Sequence, residues 1–253
     1  MTRDEARLLA FRQFKHYFQE SSKIQPMGEV LTNVNKIATF FTPMALISQD
    51  VAVKMTVSLQ LAYKTIQNLG TEIHSDALRR IETGADLSCF ALTELGHGSN
   101  VRGILTTATY DHASREIVLN TPCKEAMKFW IGGAAKTANS SVVWAQLILD
   151  GVDHGPHAFI VPLRDRQNHL PLTGITIGDC GKKYGQDGID NGFIIFDQVR
   201  IPKDNLLDRL SSIDHNGKFS SPIKSVDLRF GLSLGGLSTG RIILIGNMII
   251  NIQ

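Results

Sequence analysis

The sequence predicts an α+β protein, because two changes in residue pattern divide it into helical and β regions. Up to about residue 87, apolar residues recur at the three- and four-residue intervals of amphipathic helices. Short apolar or alternating runs then follow, separated by Gly, Pro, Asn and Asp, as is typical of an antiparallel β-barrel or sandwich. After Pro202 helix is again favoured, over 225–250. We therefore expect an N-terminal helical domain (1–87), a central β-barrel domain (88–205), and a linker with the start of a C-terminal helical domain (206–253).

The composition indicates a folded globular protein and excludes several function classes. The chain has 253 residues, 43% hydrophobic and 20% charged, and its formal net charge of +2 gives no basic footprint for nucleic acid. The longest apolar stretch, 242–252, is shorter than the roughly 20 residues a membrane span needs. Its 3 cysteines and 8 histidines lack metal-ligand spacing. We expect no nucleic-acid partner, no membrane span and no metal.

The first helices can be placed from their caps and apolar stripes. Thr2 and Glu5 have the spacing of a capping box, and a stripe at helical intervals follows them at Leu8, Phe11, Phe14 and Phe18. A second stripe runs over 30–41, and Pro43 is expected to end that helix.

The segment 51–69 fits two patterns. Alternate residues from Val51 to Leu61 read as a strand, whereas every third or fourth residue reads as one helix face. The segment continues to Gly70 without a turn signal, which exceeds the roughly 3–10 residues of a usual strand. Helix is therefore favoured.

The β region contains a succession of short candidate strands. One hairpin is expected over 107–120, with its turn at 111–115. The candidate strands are "LSCFALT", "ILTTATY", "EIVLN", "KFWIGG", "SVVWAQLIL", "AFIVPL", "GITIGD" and "GFIIFDQVRIP".

Three short motifs match known patterns only in part. "GLSLG" (231–235) has the spacing of a hydrolase nucleophile elbow, but it lacks a buried strand before it and a histidine after it. "GGAAKT" (132–137) lacks the glycine that a phosphate loop places before its lysine. "GHGSNVRG" (96–103) misses one glycine of the dinucleotide fingerprint and lies in a β region.

Two stretches together indicate a flat cofactor surface. In "FALTELGHGSN" (90–100) a buried run ends at Thr93 and then exposes glycine backbone, while in "KFWIGG" (128–133) a tryptophan precedes two glycines. Each alone is also explained by an ordinary turn. Together they provide an aromatic plane, a hydroxyl donor and unshielded amides, which a flavin ring requires.

At these residues the sequence resembles the acyl-CoA oxidases of peroxisomal fatty-acid β-oxidation. The resemblance is carried in order by "CFALTELGHGSNVRGILTTATYD", "LNTPCKEAMKFWIGGAAKTAN", "GITIGDCGKKYGQDGIDNGFIIFDQVRIPKDNLL" and "RFGLSLGGLSTGR". It implies the acyl-CoA dehydrogenase/oxidase-like architecture, with FAD bound against the β-domain. By position it implies that Thr93, Trp130, Ile131, Gly132 and Gly98 contact the cofactor and that Ser99 is a substrate-binding candidate.

The chemistry implied by the resemblance is oxidation of acyl-CoA to trans-2-enoyl-CoA, with O2 as electron acceptor and H2O2 as product. The family's catalytic glutamate lies in a C-terminal helical region beyond the last residue of this chain, which therefore resembles a short form. No catalytic residue is assigned, and Glu94 is expected to be a hydrogen-bonding residue at a strand end rather than a base.

The resemblance also implies a homodimer and a peroxisomal location, although Asn251–Gln253 is not a peroxisomal targeting tripeptide. Two other functions stay open from the sequence. One is a catalytically inactive short form that binds acyl-CoA or a partner protein. The other is a dehydrogenase that passes electrons to a second flavoprotein.

Overall fold

The computed structural model describes residues 1–235, which form a helical layer packed against two β-sheets. The helices of the layer are α1 (Arg3–Ile24), α2 (Met27–Val30), α3 (Val34–Ile47), α4 (Gln49–Met55), a π-helix (Thr56–Tyr63), α5 (Lys64–Leu69) and α6 (Ser75–Glu82). A last helix, α7 (Val226–Ser233), follows the sheets. Among the described residues, no helix combines the length and apolar character needed to cross a membrane.

The capping box predicted at the N-terminus is confirmed. The Thr2 side chain accepts from the Glu5 backbone N–H, and the Glu5 carboxylate accepts from the Thr2 backbone N–H at 2.7 Å. Phe14 and Phe18 of the predicted stripe are buried in the core, whereas Leu8 is exposed. The stripe therefore predicted the helix correctly. Its assignment of Leu8 to the buried face is wrong.

The prediction that a helix ends at Pro43 is wrong. Helix α3 continues through Pro43 to Ile47, and Val30 belongs to the separate helix α2. Proline removes one helical hydrogen bond, but the residues that follow it, Met44 and Ala45, are buried in the helical core. Burial of these apolar side chains compensates for the lost bond.

The ambiguous segment 51–69 is helical, as favoured from its length. Helix α4, the π-helix and α5 follow one another from Gln49 to Leu69 without a break. The π-helix was not predicted from the sequence. Such wide turns occur frequently at functional sites, and this one faces the cavity described below.

The strands form a six-stranded sheet, a three-stranded sheet and a small hairpin. In the large sheet the order is β1-β5-β2-β3-β9, and β6 pairs with β5; the second sheet has the order β4-β8-β7. The strands are β1 (Ser88–Ala91), β2 (Thr107–Asp111), β3 (Glu116–Asn120), β4 (Lys128–Ile131), β5 (Ser140–Leu149), β6 (Val152–Pro162), β7 (Ile175–Asp179), β8 (Gly192–Phe196), β9 (Val199–Pro202), β10 (Ser212–Ile213) and β11 (Phe219–Ser220).

The predicted hairpin is confirmed, but the antiparallel prediction fails at two strand pairs. Strands β2 and β3 pair in antiparallel register with Tyr110 opposite Ile117, whereas β5 pairs in parallel with both β1 and β2. Alternating burial reports the faces of a strand and carries no information on the direction of its partner. The β10–β11 hairpin was also not predicted, because its strands contain only two residues each.

Strand β5 separates the two hydrophobic cores. Val142 and Trp144 on one face pack with the helices, while Val143 and Ala145 on the other face pack with the second sheet. Consecutive side chains of a strand point to opposite faces, so one strand supports both cores. This arrangement places the helical layer and the second sheet on opposite faces of the large sheet.

Asp86 links the helical layer to the start of β1. Its carboxylate accepts hydrogen bonds from Arg80, Arg166 and the Asn139 amide at 2.8–3.2 Å. Burial alone would raise the pKa of Asp86, but the two guanidinium groups outweigh it and hold the pKa at about 2.

Because the folded-state pKa of Asp86 lies below its ordinary value of 3.8, its stabilisation is present above that value and is lost as pH falls towards 2. We expect the free energy of unfolding to fall by on the order of 2 kcal/mol over this window from Asp86 alone. Urea denaturation of the wild type and of Asp86→Asn at several pH values checks this. An equally steep fall in Asp86→Asn would contradict it.

The "GLSLG" motif (231–235) lies at the end of the described region. Gly231–Ser233 lies inside helix α7, so the "GLSLG" sequence does not form a strand-to-helix elbow. Residues 236–250 of the segment 225–250, and the apolar run 242–252, lie outside the described residues.

Candidate functional site

A cavity of about 710 Å³ opens between the π-helix, the end of β1, strand β4 and the loop before β8. Four of the six residues predicted to bind cofactor or substrate line it together: Thr93, Trp130, Ile131 and Gly132. Val53, Val57, Leu61, Phe90 and Ile189 give the rest of the lining a mainly apolar character. Gly98 and Ser99 are exposed and do not line the cavity.

The backbone is irregular around Trp130, which lines the cavity. Trp130 has a φ of +66°, in the left-handed region, at an irregularity between Lys128 and Ile131 in the pairing of β4 with β8. Its side chain is 54% exposed. A left-handed tryptophan costs conformational energy, and such residues cluster at functional sites. The Thr93 hydroxyl donates to the Phe129 carbonyl and the Asn191 amide donates to the Trp130 carbonyl, and these bonds hold the residue in place.

Thr93 is connected to the same segment. The Phe129 backbone N–H donates to the Thr93 carbonyl at 3.1 Å, and the Thr93 hydroxyl donates to the Phe129 carbonyl at 2.8 Å. The single hydroxyl proton is therefore engaged within the protein, and the hydroxyl oxygen remains an acceptor. The donor role expected from the sequence requires the hydroxyl to turn away from Phe129.

Gly132 lies against the π-helix. A Cβ atom at this position would stand 3.2 Å from Val57 Cγ2 and 3.8 Å from Ile189 Cγ2. Glycine thus leaves its backbone uncovered between two elements that approach closely. The sequence signal for this position was the glycine after an aromatic strand end.

Replacement of Gly132 by valine is expected to lower the free energy of unfolding by about 1–3 kcal/mol, because its branched side chain overfills the contact with Val57. Thermal or urea denaturation measures the loss, and Val57→Ala in the same chain should recover part of it. Gly98→Val is a matched control, since a Cβ there meets nothing within 4 Å. Equal losses at Gly132 and Gly98 would contradict the expectation.

The turn after Gly132 is built around the buried carboxylate of Asp190. Asp190 Oδ2 accepts from the backbone N–H groups of Lys136 and Thr137, both at 2.8 Å, and Oδ1 pairs with Lys54 Nζ at 2.6 Å. The "GGAAKT" segment therefore does bind an anion through its amides, and that anion is the protein's own Asp190. Burial alone would raise the pKa of Asp190, but Lys54 and these N–H groups keep it below its ordinary value.

Glu94 is the centre of a second buried network. It forms an ion pair with Lys128 at 3.0 Å in which both side chains are fully buried, and it accepts hydrogen bonds from Thr106, Leu105 and His97 at 2.6–3.0 Å. Burial alone would raise the pKa of Glu94, but Lys128 and these donors lower it below its ordinary value. The expectation that Glu94 forms hydrogen bonds is confirmed, and its exclusion as a base stays a prediction.

Two polar residues of the cavity, Lys183 and Asn191, were not singled out from the sequence. The Lys183 ammonium donates to the Asn191 side-chain oxygen at 2.6 Å and to the Ile189 carbonyl at 2.8 Å. The Asn191 amide in turn donates to the Trp130 carbonyl at 3.1 Å. In sequence they are two polar residues of a loop, and only the fold brings them to Trp130.

The potential metal ligands of the chain are dispersed in the structure. Within residues 1–235, no group of three or more His, Cys, Asp or Glu side chains is arranged to hold a metal ion. Of the three cysteines, Cys89 is buried, Cys180 is half-buried and Cys123 is exposed.

Comparisons with known proteins agree with this fold. Residues 89–199 match the family model "Acyl-CoA dehydrogenase, middle domain". The chain is 40% identical over 219 residues to human peroxisomal acyl-coenzyme A oxidase 3, a match that covers 86% of this chain and 31% of that protein. It thus spans about a third of the length of this relative.

Solved structures give the same result. The crystal structure of acyl-CoA oxidase 1 from Yarrowia lipolytica superposes with a TM-score of 0.87 and 32% identity over 98% of this chain and 34% of that one. Acyl-CoA oxidase-1 of Caenorhabditis elegans, described as a complex with FAD and ATP, superposes with a TM-score of 0.77 and 33% identity over 88% of this chain and 33% of that one.

The helical layer, the two sheets and the cavity at their junction define a protein of the acyl-CoA dehydrogenase fold. More particularly, the chain belongs to the acyl-CoA oxidase family.

Proposed function

We propose that this chain forms the flavin-binding wall of an FAD-dependent acyl-CoA oxidase, which oxidises acyl-CoA to trans-2-enoyl-CoA and transfers the electrons to O2 to give H2O2. The observation that supports this most is the convergence of Thr93, Trp130, Ile131 and Gly132 on one apolar cavity. These residues come from two separate stretches and were selected from the sequence for a flavin surface.

The cavity has features that fit a flavin. Its size of about 710 Å³ lies within the range of small-molecule sites, and its lining is mainly apolar. The exposed Trp130 ring offers a flat contact surface. At Gly132 the absence of a Cβ atom lets the backbone lie close to Val57 and Ile189, which line the same cavity.

Each lining residue has a separate proposed role. Trp130 and Ile131 pack against the ring and exclude water, while the Gly132 backbone N–H is a hydrogen-bond donor. Thr93 provides a hydroxyl oxygen, whose proton is available when it turns from Phe129. Gly98 and Ser99 belong to an exposed loop and are proposed to meet cofactor and substrate there.

FAD, when bound, supplies the electron acceptor that takes a hydride from the substrate. Removal of the substrate's α-proton needs a carboxylate base. Glu94 and Asp190 are unsuited to this task because each is buried, ion-paired and saturated with hydrogen bonds. We therefore assign no catalytic base to residues 1–235, and these residues bind, orient and shield.

The wider biological setting is proposed from the family. We propose a fatty acyl-CoA substrate, O2 as acceptor and a homodimer. We also propose a peroxisomal location, because the names of the curated relatives include it. The division into 1–87, 88–205 and 206–253 is proposed as a helical layer, a flavin-bearing β-domain, and the start of a further helical domain.

A flavin absorbance spectrum of the purified protein, after incubation with FAD and gel filtration, tests the cofactor proposal. The same sample is then given palmitoyl-CoA, and peroxide is followed. Retained flavin with peroxide supports the full proposal, and retained flavin without peroxide limits it to binding. A chain that retains no flavin contradicts it. Reduction of an artificial dye without oxygen consumption would instead indicate a dehydrogenase.

A further inference from the structure

Among the described residues that line the cavity, only Lys183 carries a charge. It is half-buried, and both of its hydrogen bonds go to uncharged oxygens, those of Ile189 and Asn191. An ammonium group carries three N–H donors, so one donor remains beyond these two bonds. A positive charge in a mainly apolar cavity attracts a ligand with negative charge.

Three nearby carboxylates raise the pKa of Lys183, and each of them also has another hydrogen-bond or ion-pair partner. Asp50 accepts from the Gly188 backbone N–H at 3.2 Å, and Asp187 accepts from the Lys183 backbone N–H at 3.2 Å. Asp190 is paired with Lys54. Burial lowers the pKa of Lys183, which is the direction for an ammonium drawn out of water.

Lys183 is held next to the proposed flavin wall. Asn191, its hydrogen-bond partner, donates to the carbonyl of Trp130. Ile189, its other partner, lies 3.8 Å from the position of a Cβ on Gly132. Both contacts join the ammonium to the Trp130–Gly132 segment, so its charge lies at the edge of the surface assigned to the ring.

We propose that Lys183 contacts the cofactor and that its ammonium stabilises the negative charge which the flavin acquires on reduction. This inference rests on the proposed function. Oxidised flavin takes up two electrons and one proton to give an anionic hydroquinone, so its net charge falls by one. A fixed positive charge beside the ring strengthens binding of the reduced form more than binding of the oxidised form.

The consequence is a change in reduction potential, because a residue that bound both redox forms equally would leave the potential unchanged. Neutralisation of Lys183 should weaken binding of reduced flavin about tenfold relative to oxidised flavin. For a two-electron couple this tenfold change corresponds to a midpoint potential lower by about 30 mV. Binding of oxidised FAD should change by less than about threefold.

Three variants of the whole chain separate charge from local structure. Lys183→Gln keeps a hydrogen-bond donor and removes the charge, whereas Lys183→Arg keeps the charge. Lys182→Met removes the charge of the exposed neighbouring lysine. Circular dichroism melts establish that each variant folds. FAD binding is measured by flavin absorbance, and the midpoint potential by reduction with xanthine and xanthine oxidase against a reference dye.

We expect a lower potential in Lys183→Gln and a potential near that of the wild type in Lys183→Arg and Lys182→Met. Equal potentials in all four proteins would overturn the inference while leaving the proposed function intact. An equal decrease in Lys183→Arg and Lys183→Gln would also overturn it, since geometry and not charge would then be responsible. Failure of the wild type to bind FAD would overturn the proposed function and this inference with it.

Discussion

Replacement of Lys128 by methionine is expected to lower the free energy of unfolding by about 3–5 kcal/mol, because it leaves the Glu94 carboxylate buried without its counter-charge. Both side chains of this pair are fully buried, and the Lys128 ammonium also donates to the Leu92 carbonyl at 3.2 Å. Burial lowers the pKa of Lys128 to about 8, and the nearby Glu94 carboxylate opposes that fall. Methionine fills similar space but offers no hydrogen-bond donor to the Glu94 carboxylate or to the Leu92 carbonyl.

Urea denaturation measures the loss, with Lys124→Met as the matched control at an exposed position. Glu94→Gln and the double variant complete a mutant cycle. We expect the double variant to lose about 0.5–3 kcal/mol less than the sum of the two single variants, because the charges are removed together. A Lys128→Met protein as stable as Lys124→Met, or strictly additive losses, would contradict this account.

Replacement of Asp190 by alanine is expected to have an effect of the same size, about 3–5 kcal/mol, and to loosen the turn behind the proposed flavin wall. The substitution leaves Lys54, which is 6% exposed, without its partner. It also leaves the Lys136 and Thr137 N–H groups without their acceptor. Asp190→Asn retains a carbonyl acceptor and should lose less.

The distinguishing measurement is hydrogen–deuterium exchange. The Lys136 and Thr137 amides should exchange faster in Asp190→Ala even under conditions in which the protein stays folded, because their acceptor is gone. Asp204→Ala removes an exposed carboxylate and serves as the control. Unchanged protection of these two amides in Asp190→Ala would show that the turn does not depend on Asp190.

Local signals predicted many of the elements. The Thr2 capping box, the helical character of 51–69 and the hairpin over 107–120 depend on residues close in sequence, and all are confirmed. The failures depend on distant packing. Helix α3 passes through Pro43 because burial of the following residues stabilises it, and β5 pairs in parallel with β1 because the intervening chain crosses the sheet.

The same distinction applies to the site. Thr93, Trp130 and Gly132 were selected from residue types beside strand ends, and the structure places them around one cavity. Lys183 and Asn191 carried no local signal, because their importance comes from hydrogen bonds that reach Trp130 across 61 positions of the chain. The hydrogen bond from the Thr93 hydroxyl to the Phe129 carbonyl also could not be predicted from the sequence, since the two residues are 36 positions apart.

By itself, the sequence determined the helical and β regions of this protein, and its resemblance to the acyl-CoA oxidases determined the family and most of the residues proposed for the flavin wall. The helical and β regions depend on local propensity and hydrophobic period, whereas the family depends on long motifs that occur in the same order as in its members. Only the tertiary structure decided which charges are buried in pairs, as with Glu94 and Lys128, and which charge lines the cavity, as with Lys183. Burial and pairing are properties of neighbours in space, and folding alone brings those neighbours together.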